Sequence, residues 1–594
     1  MKKGSLPHRK TFEHFLPLKP YFIQNRWPIA IGLTCLLVVD FLQLLIPLVI
    51  KRAIDLLTMQ TATAQFLIQQ GMIILSLALM IAVFRYIWRY FLFGHSRKVE
   101  ESLRNRLYNH LQTLPVSFYQ RTKTGDLMAR AINDINSIRM ATGMGLVAMT
   151  DGLLLGMAAI GFMLSINVKL TLISLIPTPL IVVLTRVLTR HMSSGFETVQ
   201  RTFSDLTERV REAFAGIRIV KAYNRESWAD HRIEEEGQNY ITVNMGLAKT
   251  LAIFFPVMAL FTNAGLAIVI WLGGRFTILG YITTGDLVAF ISYLNLLTWP
   301  MMAMGWVTNL IQRGSASMRR INSILGEVPE IQDSPHSKMI PLIRGKIEIR
   351  GLHITYPGQK DSALKHIRLE IDASQTVAVV GRVGSGKTTL LSVLPRLLDA
   401  PPGILFIDGV DIRQIPLKTL RANIGFVTQD VFIFSDTIRN NVIFGRSGVS
   451  EEELEEVLRT ADILEEVHSF ENGLDTMLGE RGLTLSGGQR QRLTIARALI
   501  GDPPILILDD ALSMVDTRTE ERILNQVLNL RHNKTNLIVS HRISTIGRAD
   551  WIIVLDRGEI VEQGSHEELL NVGILYPSLY KRQLITEELE VGFR

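Results

Sequence analysis

The sequence predicts two unlike parts in one chain: a membrane α-helical bundle of six transmembrane helices, fused to a soluble α/β domain built around a phosphate-binding loop. Three observations predict it. The 594 residues are 47% hydrophobic and 20% charged, with a mean hydropathy of +0.23, more apolar than a soluble protein of this length. The apolar residues are concentrated before about position 310. Beyond it, a short apolar run at residues 376–380 leads into Gly381-Arg382-Val383-Gly384-Ser385-Gly386-Lys387-Thr388-Thr389 and then a helix-compatible stretch, the strand, loop and helix order of a phosphate loop. The expected division is residues 1–325 for the membrane part, 326–344 for a linker marked by Pro329, Pro335 and Pro341, and 345–594 for the soluble domain.

The first apolar run, residues 27–50, is interrupted by little more than Asp40 and Gln43. At about 1.5 Å per residue it is long enough to cross about 30 Å of hydrocarbon. Runs at 66–93, 143–166, 170–185, 251–274 and 287–310 bring the expected spans to six. Arg85 and Arg89 in the second run and Pro177 and Pro179 in the fourth predict a polar side and a local bend. Residues 1–26 lack a short apolar core followed by a small-residue cleavage pattern, so an interfacial helix over 11–22 is expected rather than a removable signal.

The segments between runs alternate in length. Those at 51–65, 167–169 and 275–286 are short, whereas 94–142 and 186–250 are long and charged. An even number of crossings puts the long segments, both termini and the soluble domain on one side, and the Lys/Arg bias makes that side the cytoplasmic face of the cell (inner) membrane. Helical periodicity carries the spans tens of Å beyond the bilayer, with turns expected near Gly125 and Gly216.

Lys plus Arg number 63 against 56 for Asp plus Glu, a net charge of +7 that is small for this length. With no arginine-rich arm, the balance points to anionic lipid rather than nucleic acid. The single cysteine, Cys35, lies in an apolar run and can form neither an intrachain disulfide nor a ready thiolate. Asp40 and Asp151 are the carboxylates deepest in the apolar runs. Either they make a structural hydrogen bond or an ion pair with Arg85 or Arg89, or they handle cargo or protons.

In the phosphate loop, glycines let successive backbone N–H groups wrap the phosphates of a nucleotide, Lys387 adds a point charge, and Thr388 offers a hydroxyl to Mg²⁺. Residues 505–508 read as a buried parallel strand ending in Asp509 and Asp510, which places Asp509 to hold Mg²⁺ through water. A second apolar strand, 536–539, ends at Ser540-His541 and brings a histidine to the same edge, within reach of a γ-phosphate.

Leu485-Ser486-Gly487-Gly488-Gln489, preceded by the phosphate loop and followed about twenty residues later by Asp509, resembles the signature of the ATP-binding cassette superfamily. With six spans ahead of it, the whole chain resembles a half-transporter of the type IV exporter group. That resemblance implies ATP and Mg²⁺ as cofactors. It implies Tyr356 as the aromatic that stacks on adenine and Gln429 as the glutamine that senses Mg²⁺ and the γ-phosphate, with Thr428 standing where the family usually has proline. It implies His541 as the switch histidine and Ser513 to Asp516 as the loop that crosses the dimer interface. In the family each ATP lies between one chain's phosphate loop and the other chain's signature, here Ser486, Gly487, Gly488 and Gln489, so one chain makes no complete site.

Active members carry glutamate where Asp510 stands. Aspartate is one methylene shorter, retracting the carboxylate by about 1 Å, and misplacement of that order can cost about 10²-fold in rate. The expected molecule is therefore the weakly hydrolysing half of a heterodimer whose other chain supplies a catalytic glutamate, similar to the aspartate-bearing subunits of bacterial heterodimeric multidrug exporters. It would export hydrophobic or amphiphilic compounds, drugs or lipids, by alternating access. The alternatives are a homodimeric lipid or drug exporter and an ATP-gated, channel-like protein.

Overall fold

The computed structural model describes residues 13–335, 342–356, 358–359, 361–479, 482, 485–540, 542 and 546–592. The chain divides into two compact units, one comprising Met1–Gln112 with Lys123–Glu327, the other Thr113–Thr122 with Val328–Arg594.

The first unit is helical. A 3₁₀ turn, Leu16–Leu18, and a short helix, Lys19–Gln24, stand where the interfacial helix is expected. The long helices are α1 (Arg26–Thr58), α2 (Ala64–Thr113), α3 (Thr124–Ile166), α4 (Pro177–Ala215), α5 (Glu226–Ile278) and α6 (Thr284–Leu325). Among the described residues, α1, α2, α3 and α5 are long and apolar enough to cross a membrane by length and composition. The fourth apolar run is split between the short helix Val168–Ser174 and α4, because Pro177 opens α4 at a position where its missing N–H is not needed. The sixth run lies inside α6, around Pro300.

Helix α2 has 50 residues, about 75 Å of helix, so it extends well beyond the hydrocarbon as the periodicity predicts. The first turn is made in two breaks, the second of them beside Gly125 as expected. The chain leaves α2 before Pro115, forms Val116–Arg121, and turns again at Thr122 and Lys123, so Gly125 is already inside α3. The other falls at Gly216, as predicted.

Specific polar ties fix α6 against its neighbours. Tyr293 is buried, donates to Leu44 O at 2.9 Å and stacks on Phe162. At one end Lys51 pairs with Asp286 at 2.5 Å, while Asp55 accepts from Gly285 N at 2.8 Å. Toward the other end, buried Asp134 accepts from Ser317 Oγ at 2.9 Å and Arg320 Nε at 2.8 Å. Among the described residues no close ion pair joins Asp40 or Asp151 to Arg85 or Arg89; Asp151 makes the structural hydrogen bond that was the other alternative, accepting from Trp299 Nε1 at 3.2 Å.

The second unit contains β1 (Ile347–Ile354), β2 (Leu364–Ile371), β3 (Thr376–Gly381), β4 (Leu405–Ile407), β5 (Val410–Asp411), β6 (Ile424–Val427), β7 (Ile505–Asp509), β8 (Thr535–Val539), β9 (Trp551–Asp556) and β10 (Glu559–Gly564). Strands β2-β1-β4-β5 form an antiparallel sheet; β10-β9-β3-β8-β7-β6 form a second, parallel except for β10. Strands β7 and β8 are buried throughout, which is why they read as uninterrupted apolar runs. Register then positions the site. Val379 pairs with Val539 and Asp509 with Val539, so the ends of β3, β7 and β8 lie side by side and all release their chains at one edge.

The opposite ends of β7 and β8 are held by Arg531, which is buried and donates to Asn536 Oδ1 and to Pro503 O, each at 2.8 Å. Burial pulls its guanidinium down to about 10. Arg531→Met leaves both acceptors without their donor and is expected to destabilise this domain by about 2–3 kcal/mol. A lowered thermal midpoint of the purified full-length chain would register that loss; an unchanged midpoint would show the bonds to be dispensable.

Candidate nucleotide site

Strand β3 ends at Gly381, whose φ is +153° and whose added Cβ would lie 2.1 Å from Leu555 O, so only glycine can start the loop here. Gly384 and Gly386 also have positive φ, +80° and +103°, and the loop feeds directly into α7 (Lys387–Val393). The N–H groups of the loop and first turn thereby converge on one spot with the positive end of the helix dipole. Lys387 is buried and folds back, its Nζ donating to Gly381 O at 2.9 Å and Arg382 O at 3.0 Å. Burial holds its ammonium below the usual range, opposed by the charges of Asp509 and Asp510.

A cleft of 440 Å³ lies over this loop. It brings together Tyr356, Val383, Gly384, Ser385, Gly386, Lys387, Thr388, Thr389, Gln429, Asp509 and Asp510. Gly381 and Arg382 lie behind it and hold Lys387, while the Arg382 side chain is exposed. Tyr356 and Thr389 share a hydroxyl–hydroxyl hydrogen bond of 3.2 Å, which fixes the aromatic beside the loop. His541 lies outside the described residues.

Two orphaned atoms show that the cleft suits a phosphate with a cation. Among the described residues, Ser385 Oγ and Asp509 Oδ2 are buried without a hydrogen-bond partner. Burial pushes the Asp509 carboxyl above the ordinary aspartate range, and its hydrogen bond with Thr388 works against that rise. Among the described residues no three His, Cys, Asp or Glu side chains converge, and the oxygens that could meet a metal here are those of Thr388 and Asp509. That donor set fits Mg²⁺, which binds through few protein oxygens plus phosphates. Asp510, the next residue, is half-buried, has a left-handed φ of +51° and donates its N–H to Val539 O at 3.1 Å. Aspartate tolerates that backbone better than longer acids do.

Ser486, Gly487 and Gly488 do not reach this cleft. They line a separate cavity of 710 Å³ with Met514, Val515 and Asp516. Ser486 caps α8 (Gly487–Leu499) in a capping box, and Gln489 has its amide committed there: its Oε1 accepts from Ser486 N at 2.8 Å and its Nε2 donates to Glu466 at 2.7 Å. The open N-terminus of α8 is nevertheless a second anion-ready surface.

Several residues that sequence reasoning overlooked hold these parts in place. Gln491 is fully buried, donates to Ser513 Oγ at 3.0 Å and accepts from Met514 N at 2.8 Å, locking the 513–516 loop to α8. Arg542 pairs with buried Glu520 on α9 (Thr517–Leu530) and donates to Val515 O at 2.8 Å, tying the segment after β8 to the same loop. Arg497, pulled down to about 10 by burial, donates to Asn441 O, Phe432 O and Asn441 Oδ1 and so braces the loop that follows Gln429. The only sequence signal for these was proximity to the motifs. The Ser362-Ala363 wall of the cleft had none.

Comparisons with known proteins agree with this geometry. A family model described as "ABC transporter transmembrane region" matches residues 29–301, and one described as "ABC transporter" matches 364–513. The chain is 36% identical over 576 residues to the probable multidrug resistance ABC transporter ATP-binding/permease protein YheI of Bacillus subtilis, covering 96% of this chain and 97% of that protein. It is 34% identical over 580 residues to the multidrug resistance-like ATP-binding protein MdlA of Escherichia coli, covering 97% and 98%. The solved structure of a bacterial Atm1-family ABC exporter with ATP bound superposes with a TM-score of 0.75 at 27% identity, covering 95% of this chain and 98% of that one.

Two substitutions test the loop. Lys387→Ala removes a charge-assisted contact to phosphate and should weaken binding of a fluorescent ATP analogue by about 10–100-fold. In Gly386→Ala the new Cβ would lie 2.7 Å from Ala363 O at a left-handed φ, so a loss of at least about tenfold is expected. Titration of the analogue against the purified full chain measures both.

Proposed function

The chain belongs to the ABC transporter family as an exporter half-transporter, and from that premise we propose that it is the weakly hydrolysing subunit of a heterodimer that exports hydrophobic or amphiphilic compounds. The premise itself carries the coarser activity. The protein is a membrane-bound ATPase, with its nucleotide-binding domain on the cytoplasmic side, that couples ATP hydrolysis to transport. The cell (inner) membrane is the proposed location. The multidrug-resistance names of its relatives support the cargo class.

Within the site, Tyr356 stacks on the adenine. Lys387 exchanges the carbonyls of Gly381 and Arg382 for phosphate oxygens, while the loop N–H groups orient the chain of phosphates. Thr388 and Asp509 would hold Mg²⁺ with Gln429 at its edge, and the ion when bound would supply positive charge beside the phosphoryl oxygens. Asp510 orients the attacking water, and the family resemblance assigns the γ-phosphate switch role to His541. The signature residues Ser486, Gly487 and Gly488, together with Gln489 as their cap, close over the nucleotide of the second half-transporter. Binding of two nucleotides then clamps the two soluble domains, and hydrolysis releases them, a two-state element biased by its ligand.

Asp510 carries the heterodimer reading. Its carboxylate is a methylene shorter than the usual glutamate and springs from a left-handed residue that suits the short acid. A partner with glutamate at that position, facing this chain's signature, would form the faster site.

The lone chain is expected to bind ATP and turn it over slowly. Asp510→Glu should raise its ATPase rate by about 10–100-fold, whereas co-purification with a glutamate-bearing half-transporter should raise it without any substitution. Measured phosphate release decides. Brisk turnover by the unsubstituted lone chain, or no gain in Asp510→Glu, would remove Asp510 as the limiting group.

A further inference from the structure

The loop that joins β1 to β2, residues 355–363, supplies one wall of the nucleotide cleft, and the reading above uses only Tyr356 from it. Both ends of the loop are held. Gln359 N donates to Tyr356 O at 3.1 Å, and Ala363 N donates to Ile354 O at 2.8 Å. The carbonyl of Ala363 lies against the phosphate loop, since an added Cβ on Gly386 would stand 2.7 Å from its oxygen. The wall therefore runs from the aromatic ring that takes the base to the glycine that precedes Lys387.

Among the described residues that line this cleft, three are acids. Asp509 and Asp510 come from the end of β7, at the phosphates. Asp361 belongs to the loop wall and is exposed. A carboxylate only accepts hydrogen bonds, and an ionised triphosphate has none to give it. The adenine amino group is a donor, but it belongs to the ring placed on Tyr356 at the start of the loop. Asp361 comes later, toward the Ala363 end, where the sugar must pass between base and phosphates. Ribose presents two adjacent O–H donors there, and an acid set against a ribose hydroxyl is how dinucleotide-binding folds grip the same sugar.

The neighbouring residue fixes the acid in place. Ser362 Oγ shares hydrogen bonds of 2.9 Å with Thr355 Oγ1 and with His353 Nε2, so it ties the end of the loop to its beginning and to β1. A serine hydroxyl has one proton and two lone pairs, enough to serve both partners at once. A loop ordered before its ligand arrives loses less freedom on binding.

We propose that Asp361 accepts hydrogen bonds from the ribose hydroxyls of bound ATP, and that Ser362, held by His353 and Thr355, is the residue that positions it. The proposal deepens the nucleotide reading of this cleft and rests on it. It is independent of Asp510, of the partner chain and of the cargo.

The test is calorimetric titration of the purified full chain in lipid nanodiscs with ATP and with 2′,3′-dideoxyATP, in EDTA to stop turnover. The unsubstituted chain is expected to bind ATP at least about fivefold more tightly than the dideoxy compound. Asp361→Ala should close that gap to within about twofold, and Ser362→Ala should narrow it. The ratio of the two affinities is the readout, because a change of charge or of folded fraction acts on both ligands alike. Equal affinity of the unsubstituted chain for the two nucleotides, or a gap that persists in Asp361→Ala, would overturn the proposal and leave the nucleotide reading intact. A gap unchanged in Ser362→Ala would remove the positioning role. No binding of either nucleotide would take down the nucleotide reading and the proposal with it.

Discussion

Register between three buried parallel strands is the constraint on which the nucleotide site depends. With β3 and β7 both paired to β8, and Val539 the shared partner of Val379 and Asp509, the phosphate loop and the acidic strand end cannot drift relative to one another. A slip of one residue would turn Asp509 from the cleft into the packed layer. The apolar run of β7 therefore serves two ends: it fills the core, and it delivers a buried carboxylate whose second oxygen has no hydrogen-bond partner among the described residues.

The same economy explains why the two anion-ready surfaces of the chain stay apart. The phosphate loop points into one cleft and the capped N-terminus of α8 into another, with Gln491 and Arg542 fixing the loop between them. Neither surface alone encloses a triphosphate. In the proposed function a second half-transporter would complete them, and the energy of closing that gap would be available to move helices because each half is incomplete beforehand.

In the membrane part, polarity is placed rather than dispersed. Tyr293, Asp286 and Asp134 each satisfy a bond between α6 and another helix, and these ties are satisfied within the unit. Asp40 differs from them. It is equally buried, but its carboxyl meets that of Asp151 on α3 rather than a basic group.

By itself the sequence determined the division into an apolar helical part and a phosphate-loop domain, because span length and strand–loop–helix order are local properties written in consecutive residues. It also named Lys387, Thr388, Asp509 and Asp510, whose spacing follows from one strand end and one helix start. Only the tertiary structure decided that the signature residues line a cavity separate from that of the phosphate loop. It likewise decided that Gln491, Arg497, Arg542 and Glu520 brace the site and that Asp40 meets Asp151 rather than an arginine. Those outcomes depend on contacts between residues far apart in the chain, and a side chain's partner there is set by how helices and strands pack, which no local pattern records.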